Sequence, residues 1–186
     1  LYNTLDTIVW MAEFNDSKRV VEVTKSLAQY FRLALNQGHE QIALKDEIDH
    51  VRQYLFIQKQ RYGDKLQYEI EEDESIADYK LPKLVLQPLV ENAIYHGIKE
   101  IDRQGMIRVT SAAEEGQLIL SIYDNGRGFE LRDSTDITLP RLGGVGLKNV
   151  DQRLRLQFGD DYHMEIQSEP DKFTRISLYL PLVTDD

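Results

Sequence analysis

The sequence predicts an α+β fold, a two-layer sandwich of helices on a sheet, preceded by a pair of helices. Apolar residues recur with helical spacing as far as about residue 35. Beyond that point, apolar and polar residues alternate in several short segments, as they do in half-buried strands. Further helical segments lie between these strands, so we expect the helices to cover one face of the sheet.

The first 35 residues predict two short helices. Apolar stripes fall at Leu1, Leu5, Ile8 and Ala12, and then at Val20, Thr24, Leu27, Ala28, Phe31 and Leu35. Between the stripes, Asp16 or Ser17 can cap the second helix. Two such helices cannot bury both stripes alone. They either pack on the rest of the chain or join the same helices of a second copy in a four-helix bundle, and we favour the dimer.

The rest of the chain predicts about five strands and three helices. A helix at about 45–62 precedes a strand that contains Leu66, Tyr68 and Ile70. Pro82 suits the first turn of the next helix, and Pro88 should start or kink it. Further strands are expected at about 106–112, 117–124, 163–168 and 173–181, with a hairpin turn at 114–116 and a helix near 147–158 that ends at Gly159. We expect antiparallel hairpins with the helices on one face.

Composition limits the classes of partner. The chain has 186 residues, of which 41% are hydrophobic, enough for one globular domain with a small appendage. Its net charge of −10 argues against nucleic acid or an anionic membrane surface as partner. The absence of cysteine excludes disulfides and thiolate metal sites. Because the first residue, Leu1, already lies on a helical stripe, we expect this chain to be a fragment of a longer protein.

Three segments in a fixed order suggest a nucleotide site: 89–97, 124–129 and 143–149. Asp124 has the strand parity of the apolar residues Leu118, Leu120 and Ile122, so its carboxylate should point to the buried face. A buried carboxylate needs a hydrogen-bond donor, and the adenine amino group is a suitable one. Gly126 and Gly128 would let the backbone approach a ligand. The alternative is that Asp-Asn-Gly is only a tight turn.

The other two segments can bind a metal ion and phosphates. Asn92 and His96 share one helical face, and an amide oxygen suits Mg²⁺ that also bridges phosphates. His96 either hydrogen-bonds a phosphate or closes the helix end before Gly97. The glycines at 143, 144 and 146 precede a helix expected to begin near Leu147, and a helix N-terminus with Lys148 beside it attracts anions. Neither the lysine-containing phosphate loop nor the dinucleotide fold matches this pattern.

These segments resemble the N box and the two glycine boxes of the GHKL ATP-binding superfamily, which includes gyrase, Hsp90, MutL and histidine kinases. The match narrows to sensor histidine kinases of the LytS/YesM type. Residues 1–5 resemble the end of that family's phosphoacceptor box, residues 84–97 its N box, and residues 144–156 its second glycine box and the following helix. The resemblance covers nearly the whole chain.

The resemblance implies a GHKL (Bergerat) sandwich at 38–186 with an ATP lid at about 130–142. Residues 1–37 would be part of the dimerisation and histidine-phosphotransfer helices, with a hinge near Gly38. It also implies an ATP-binding set that includes a Mg²⁺ ligand, Asn92. The complete set is Asn92, His96, Gly97, Lys99, Asp124, Gly126, Gly128, Gly143, Gly144, Gly146, Leu147, Lys148 and Thr174.

Within that set the resemblance gives each group a role. Asp124 would recognise adenine in a pocket shaped by Gly126 and Gly128, and Thr174 would support Asp124. The N-box residues at 92–99 and the glycine box at 143–148 would surround the triphosphate.

The sequence departs from the family pattern at four places. The phosphoacceptor histidine would lie two positions before Leu1, and none of the histidines at 39, 50, 96 and 163 lies in that box. Tyr95 replaces a common basic residue, which leaves Lys99, Lys148 or Arg153 as phosphate partners. Residues 171–174 lack the usual Gly-x-Gly-Thr. Pro88 occupies the position where hydrolytic relatives carry a general-base glutamate, which favours transfer to histidine over ATP hydrolysis.

The implied activity is that of a protein-histidine kinase. It would pass the γ-phosphoryl group of ATP to the missing histidine and then to an aspartate of a response-regulator receiver domain. The parent protein would be a homodimer on the cytoplasmic side of the bacterial membrane, attached only through segments upstream of this chain. Two alternatives remain: a non-kinase ATP-dependent clamp, and a pseudokinase that serves as a binding module.

Overall fold

The computed structural model describes residues 2–34, 40–130 and 144–182. It begins with two helices, α1 (Tyr2–Glu13) and α2 (Ser17–Ala34). Asp16 caps α2, because its Oδ1 accepts the backbone N–H of Arg19 at 3.2 Å. The predicted pair of helices and the capping residue are confirmed. Gly38 and the proposed domain boundary after residue 37 lie outside the described residues.

The apolar stripes predicted for these helices were only partly right. Leu5, Thr24 and Ala28 are exposed, whereas Thr4, Met11 and Val23 are buried within the chain. Helical periodicity fits more than one face of α1 and α2, and the face that is buried depends on the surface that each helix meets. α2 meets the rest of the chain at its C-terminal end. Among the residues of α1, α2 and the turn between them whose exposure is described, large apolar side chains remain exposed at Leu5, Val9, Trp10, Phe14 and Val21.

A five-stranded sheet forms one layer of the sandwich, in the order β2-β4-β5-β7-β6. Its strands are β2 (Leu66–Glu71), β4 (Gly105–Glu114), β5 (Gln117–Asp124), β6 (His163–Glu169) and β7 (Phe173–Pro181). β2 pairs with β4 in parallel, and the other pairs are antiparallel. The five predicted strands are confirmed, although one edge of the sheet is parallel rather than part of a hairpin.

Three helices form the second layer: α3 (Leu44–Tyr62), α4 (Leu86–Asn92) and α5 (Gly144–Phe158). They pack on the face of the sheet that carries every second residue of β5, including Leu118, Leu120 and Ile122. Gly159 follows α5 with a φ of 59°, a left-handed conformation that glycine adopts at helix ends. The predicted two-layer α+β sandwich is therefore confirmed, while α5 begins three residues earlier than expected.

Two short strands were not predicted. β1 (Gln41–Ala43) and β3 (Lys80–Pro82) pair with each other, antiparallel, in a separate two-stranded sheet. The expectation that Pro82 opens a helix was wrong, because Pro82 ends β3. Pro88 is the third residue of α4, where its missing N–H removes no helical hydrogen bond. No helix in the three described ranges is long and apolar enough to cross a bilayer.

Candidate functional site

Asp124 is the last residue of β5, and its side chain points to the helical layer. The residue is only 4% exposed, as the strand parity predicted. Its Oδ1 accepts the backbone N–H of Gly126 at 2.9 Å. Burial raises the pKa of Asp124 to about 7, although the Gly126 N–H and the positive charge of Arg103 act to lower it. The site therefore contains a buried acceptor with spare hydrogen-bonding capacity.

We call α4 and the helical turn that continues it to Ile98 the α4 segment. Two glycines bring the end of this segment against Asp124. A Cβ atom added to Gly97 would lie 2.4 Å from Asp124 Oδ1, and one added to Gly126 would lie 2.4 Å from the Gly97 Cα. The Arg127 N–H donates to the Gly97 carbonyl at 3.3 Å. Only glycine fits at 97 and 126, so the first and second predicted segments meet at the carboxylate.

The helix continues beyond Asn92 as a π-helical turn, Ala93–Ile98, which sequence analysis did not predict. The Lys99 N–H donates to the Ile94 carbonyl at 2.8 Å, five residues earlier. Such turns occur frequently at functional sites. Asn92 is half-buried, and its Nδ2 is buried with no hydrogen-bond partner in the described ranges. His96 and Lys99 are exposed, so their side chains are accessible to a ligand.

The N-terminus of α5 lies beside the first turn of α4. α5 begins at Gly144, and a Cβ atom added to Gly146 would lie 3.3 Å from the Pro88 Cβ. Pro88 and Asn92 are one helical turn apart, so this end of α5 and the Asn92 side chain face the same region. Leu147 is buried in the core, which leaves only its backbone for a ligand, and Lys148 is exposed. Gly143 and most of the predicted lid, residues 131–142, lie outside the described residues.

Besides the α4 segment and the N-terminus of α5, β7 and the turn after β5 also border the site. Thr174 is the cross-strand partner of Asp124 and lies on the same sheet face, but its hydroxyl contacts that of Ser168 at 3.2 Å. Ser168 Oγ accepts the Phe129 N–H at 2.9 Å. Gly128 has a φ of +56°, and a Cβ there would lie 2.0 Å from the carbonyl oxygen of Glu169. These contacts fix the backbone of the glycine turn.

Arg103 supports the same turn and was missed by sequence analysis. Its guanidinium donates to the carbonyl of Asn125, to that of Gly126 at 3.1 Å and to that of Asp171 at 2.9 Å. It thus ties the turn after β5 to the turn between β6 and β7. Arg103 occupies a polar stretch without periodicity, so no local pattern indicated this role.

Arg153, one of three candidate phosphate partners, is already engaged elsewhere. Its terminal nitrogens donate to the carbonyls of Lys83 at 2.9 Å and Leu84 at 2.8 Å. The two other candidates, Lys99 and Lys148, are exposed. Of the three candidates, the two lysines therefore remain accessible to an anion.

The site offers one buried acceptor, a close-packed glycine corner and a helix N-terminus near an amide side chain. This donor set suits a purine with an attached polyphosphate. Within the described residues, no group of three or more histidine or acidic side chains could hold a metal ion. A Mg²⁺ ion at Asn92 would therefore take most of its ligands from phosphates and water, as this ion commonly does.

Comparisons with known proteins agree with this geometry. Residues 77–184 match the family described as histidine kinase-, DNA gyrase B-, and HSP90-like ATPase, and residues 1–66 match a family described as histidine kinase. The chain is 36% identical over 181 residues to the sensor histidine kinase BtsS of Escherichia coli (strain K12). It is 34% identical over 183 residues to the sensor histidine kinase YesM of Bacillus subtilis (strain 168). Both alignments cover 97% of this chain but only 31% of the relative's length.

Solved structures show the same fold. The histidine kinase domain of the Erythrobacter litoralis EL346 blue-light activated histidine kinase superposes with a TM-score of 0.59 at 18% identity, covering 96% of this chain and 87% of that one. The catalytic domain of histidine kinase ThkA superposes with a TM-score of 0.51 at 16% identity, covering 76% of this chain and 93% of that one. On the match over residues 77–184, the chain belongs to the histidine kinase-, DNA gyrase B-, and HSP90-like ATPase family, and the relatives to which it is similar are named sensor histidine kinases.

Proposed function

We propose that this chain binds ATP with Mg²⁺ and transfers the γ-phosphoryl group to a histidine outside it. The bond between the γ-phosphorus and the oxygen bridging to the β-phosphate breaks, a bond from phosphorus to an imidazole nitrogen forms, and ADP leaves. In the full protein the phosphoryl group then passes to an aspartate of a response-regulator receiver domain. The family match and the relatives named as sensor histidine kinases support this proposal.

The buried carboxylate of Asp124 carries the nucleotide part of the proposal. It is enclosed by Gly97 and Gly126, and burial raises its pKa to about 7. An adenine amino group donating to this carboxylate would stabilise the charged form. Gly128 shapes the same turn, and Thr174, across the sheet from Asp124, would order the pocket wall through Ser168.

The phosphates would lie between the end of α4 and the start of α5. Asn92 would contribute its amide oxygen to Mg²⁺, which neutralises phosphate charge when bound. His96, Lys99 and Lys148 would contact phosphate oxygens. The backbone N–H groups of the glycine box, Gly143, Gly144, Gly146 and Leu147, would supply further donors, as helix N-termini do for anions.

Pro88 favours phosphoryl transfer over hydrolysis. It lies one turn before Asn92, at the position where the resemblance places the general-base glutamate of hydrolytic relatives, and a Cβ atom added to Gly146 would lie 3.3 Å from the Pro88 Cβ. A proline has no group that can accept a proton, so water at this point is poorly activated. An imidazole from another part of the protein is itself a good nucleophile and needs less activation.

This chain would contribute two functional parts to the full protein. Residues 1–37 would belong to the dimerisation and phosphotransfer helices, and residues 38–186 would form the ATP-binding domain with its lid at about 130–142. The exposed apolar residues of α1 and α2 would pair with a second copy. The full protein would lie at the cytoplasmic side of the bacterial membrane, held there by segments outside this chain.

Nucleotide titration and product analysis test the proposal. Calorimetry of this chain with ATP should show saturable binding that Mg²⁺ strengthens, and no binding under either condition would support a pseudokinase. The full-length protein with γ-labelled ATP should form an acid-labile phosphohistidine. Steady-state ATP hydrolysis by this chain, abolished by Asn92→Ala, would instead support an ATP-dependent clamp.

A further inference from the structure

A cavity that is not lined by Asp124 lies between the N-terminal helices and the helical layer of the sandwich. It has a volume of about 220 Å³ and is lined by residues of α1, α2, α3 and the α4 segment. We call it the interhelix cavity. An engineered cavity of about 150 Å³ in another protein holds benzene, so this space can hold a ring with a short substituent. Pockets that bind small molecules commonly occur between structural units.

Aromatic rings form much of its wall. Tyr30 and Phe31 of α2 meet edge to face with their ring centroids 5.6 Å apart, and the Tyr30 and Tyr54 rings are 6.1 Å apart. Tyr95, from the π-helical turn, completes the group. The faces of aromatic rings carry partial negative charge and attract cations. The wall is therefore suited to an apolar body that bears a positive charge.

Two buried polar atoms in the wall lack hydrogen-bond partners in the described ranges. Gln58 is 6% exposed, and its Oε1 is unpaired. Tyr54 is 7% exposed, and its hydroxyl also has no partner in hydrogen-bond geometry. Burial is the main cause that raises the pKa of Tyr54, and the nearby Tyr95 and Glu91 raise it further. A buried polar group without a partner destabilises the fold. A ligand that donates to Gln58 Oε1 would remove that destabilisation.

Two charged side chains line the cavity, Glu91 and Arg61, and they make different contacts. Glu91 is half-buried, and its Oε1 accepts from Gln87 Nε2 at 2.7 Å. The same Gln87 nitrogen donates to the Tyr30 hydroxyl at 2.6 Å, which holds the carboxylate and this ring together. Arg61 is exposed, and its guanidinium lies over the ring of Tyr62 at 5.1 Å. The chain as a whole carries a charge of −10, which also favours a cation.

We infer that the interhelix cavity binds a small organic ammonium ion with an aromatic or aliphatic body. The ammonium group would donate to Gln58 Oε1 and to the Glu91 carboxylate, while the body packs among the tyrosine rings. Glu91 and Tyr95 lie one turn apart on the α4 segment, about 100° around the helix from Asn92 and His96. The cavity is therefore a separate site on a helix that it shares with the nucleotide site.

Titration with 2-phenylethylammonium chloride tests this inference. The neutral match is 2-phenylethanol, which has the same ring and linker without the charge. Nuclear magnetic resonance should show saturable shifts of the Gln58 side-chain amide with the ammonium ion, and binding of the alcohol should be at least about tenfold weaker. Absence of saturation at millimolar concentration, or equal affinity for the two compounds, would overturn the inference.

Two variants locate the site. Gln58→Leu keeps the side-chain volume but removes the acceptor, and Glu91→Gln removes the charge at a half-buried position, so this variant should still fold if Gln58→Leu does not. Each should weaken binding of 2-phenylethylammonium by at least about fivefold. Gln167→Leu, on the exposed edge strand β6, is the control and should bind like the unmodified chain. Unchanged affinity in Glu91→Gln would show that the ammonium ion binds elsewhere.

Discussion

Glu47 and Arg153 hold opposite sides of the same turn, the one that leads into α4. The Glu47 carboxylate, on α3, accepts the three consecutive N–H groups of residues 84–86, at 3.0 and 3.1 Å for the latter two. Arg153, on α5, donates to the two carbonyls of residues 83–84. The turn includes Leu84 with a φ of 60°, an unusual conformation for a residue with a side chain. The helix that carries Asn92 is thus fixed from both neighbouring helices.

Replacing the buried carboxylate should destabilise the whole domain. Glu47→Gln keeps the shape but removes the charge and places an N–H₂ group against backbone donors. We expect a loss of about 2 kcal/mol in the free energy of unfolding, because a buried backbone N–H that loses its acceptor costs about this much. Urea denaturation measures it. Glu115→Gln, at an exposed position in the turn between β4 and β5, is the control, and equal urea midpoints for the two variants would contradict the role of Glu47.

The raised pKa of Asp124 predicts that nucleotide binding releases protons. The free carboxyl titrates near pH 7. An adenine amino group donating to the carboxylate would lower this pKa in the complex, so the complex binds fewer protons. Calorimetry at about pH 6.5 in two buffers of different ionisation enthalpy should therefore show proton release on ADP binding, and this release should fade by about pH 8.5. Affinity should rise with pH over the same range.

Asp124→Asn provides the control for this linkage. The free energy of ADP binding to this variant should be weaker by about 1.5–3 kcal/mol at pH 8, and proton release on binding should be lost.

The same substitution should raise the free energy of unfolding at high pH, although it weakens ADP binding. A carboxyl whose pKa is raised on folding stabilises the folded state at low pH and loses that contribution as pH rises through 7, so the variant should gain stability relative to the unmodified chain at pH 8 but not at pH 4. Proton uptake on binding would contradict the proposed contact.

The burial of Asp124 could be predicted because strand parity is local. Alternation over residues 117–124 is enough to place every second side chain on one face. β1 and β3 could not be predicted in the same way, since three residues are too few to show a period and each strand is stabilised only by pairing with the other. This is also why Pro82 was assigned to a helix.

Contacts between distant parts of the chain could not be predicted from the sequence either. Arg103 reaches carbonyls 22 to 68 residues away, and Ser168 reaches Phe129 across 39 residues. Nothing around either residue in the sequence indicates these partners. Gly97 lies in the π-helical turn and packs against Asp124, which is a contact between two segments that the sequence identified only separately.

That contact predicts the effect of one added methyl group. Gly97→Ala would place a Cβ 2.4 Å from Asp124 Oδ1, so either the carboxylate or the end of the helix must move. We expect ATP affinity to fall at least about tenfold, or 1.4 kcal/mol. Gly116→Ala is the matched control. It strains the β4–β5 hairpin at a φ of +78° but meets nothing within 4 Å, so it should lower stability and leave ATP affinity unchanged. Equal affinities in the two variants would count against the pocket at Asp124.

Asn92→Ala tests the metal assignment. The amide oxygen is the protein ligand that we propose for Mg²⁺, so the variant should bind ATP with the same affinity whether Mg²⁺ or a chelator is present. Calorimetry under both conditions measures the ratio of affinities. Gln167→Ala removes an exposed amide from β6 and should keep the Mg²⁺ effect. A ratio in Asn92→Ala that matches that of the unmodified chain would place the metal ligand elsewhere.

The exposed apolar residues of α1, of α2 and of the turn between them predict that the chain self-associates. Trp10 and Phe14 are 58% and 67% exposed, and their ring centroids are 4.7 Å apart, so they form a contiguous patch rather than isolated residues. Phe14→Glu should shift the chain from dimer to monomer in analytical ultracentrifugation, because a charge at a buried apolar interface is costly. Leu156→Glu changes a lone residue of α5 that is 87% exposed, and it should leave the dimer intact. A monomeric unmodified chain, or dissociation by Leu156→Glu, would show that this patch does not mediate the association.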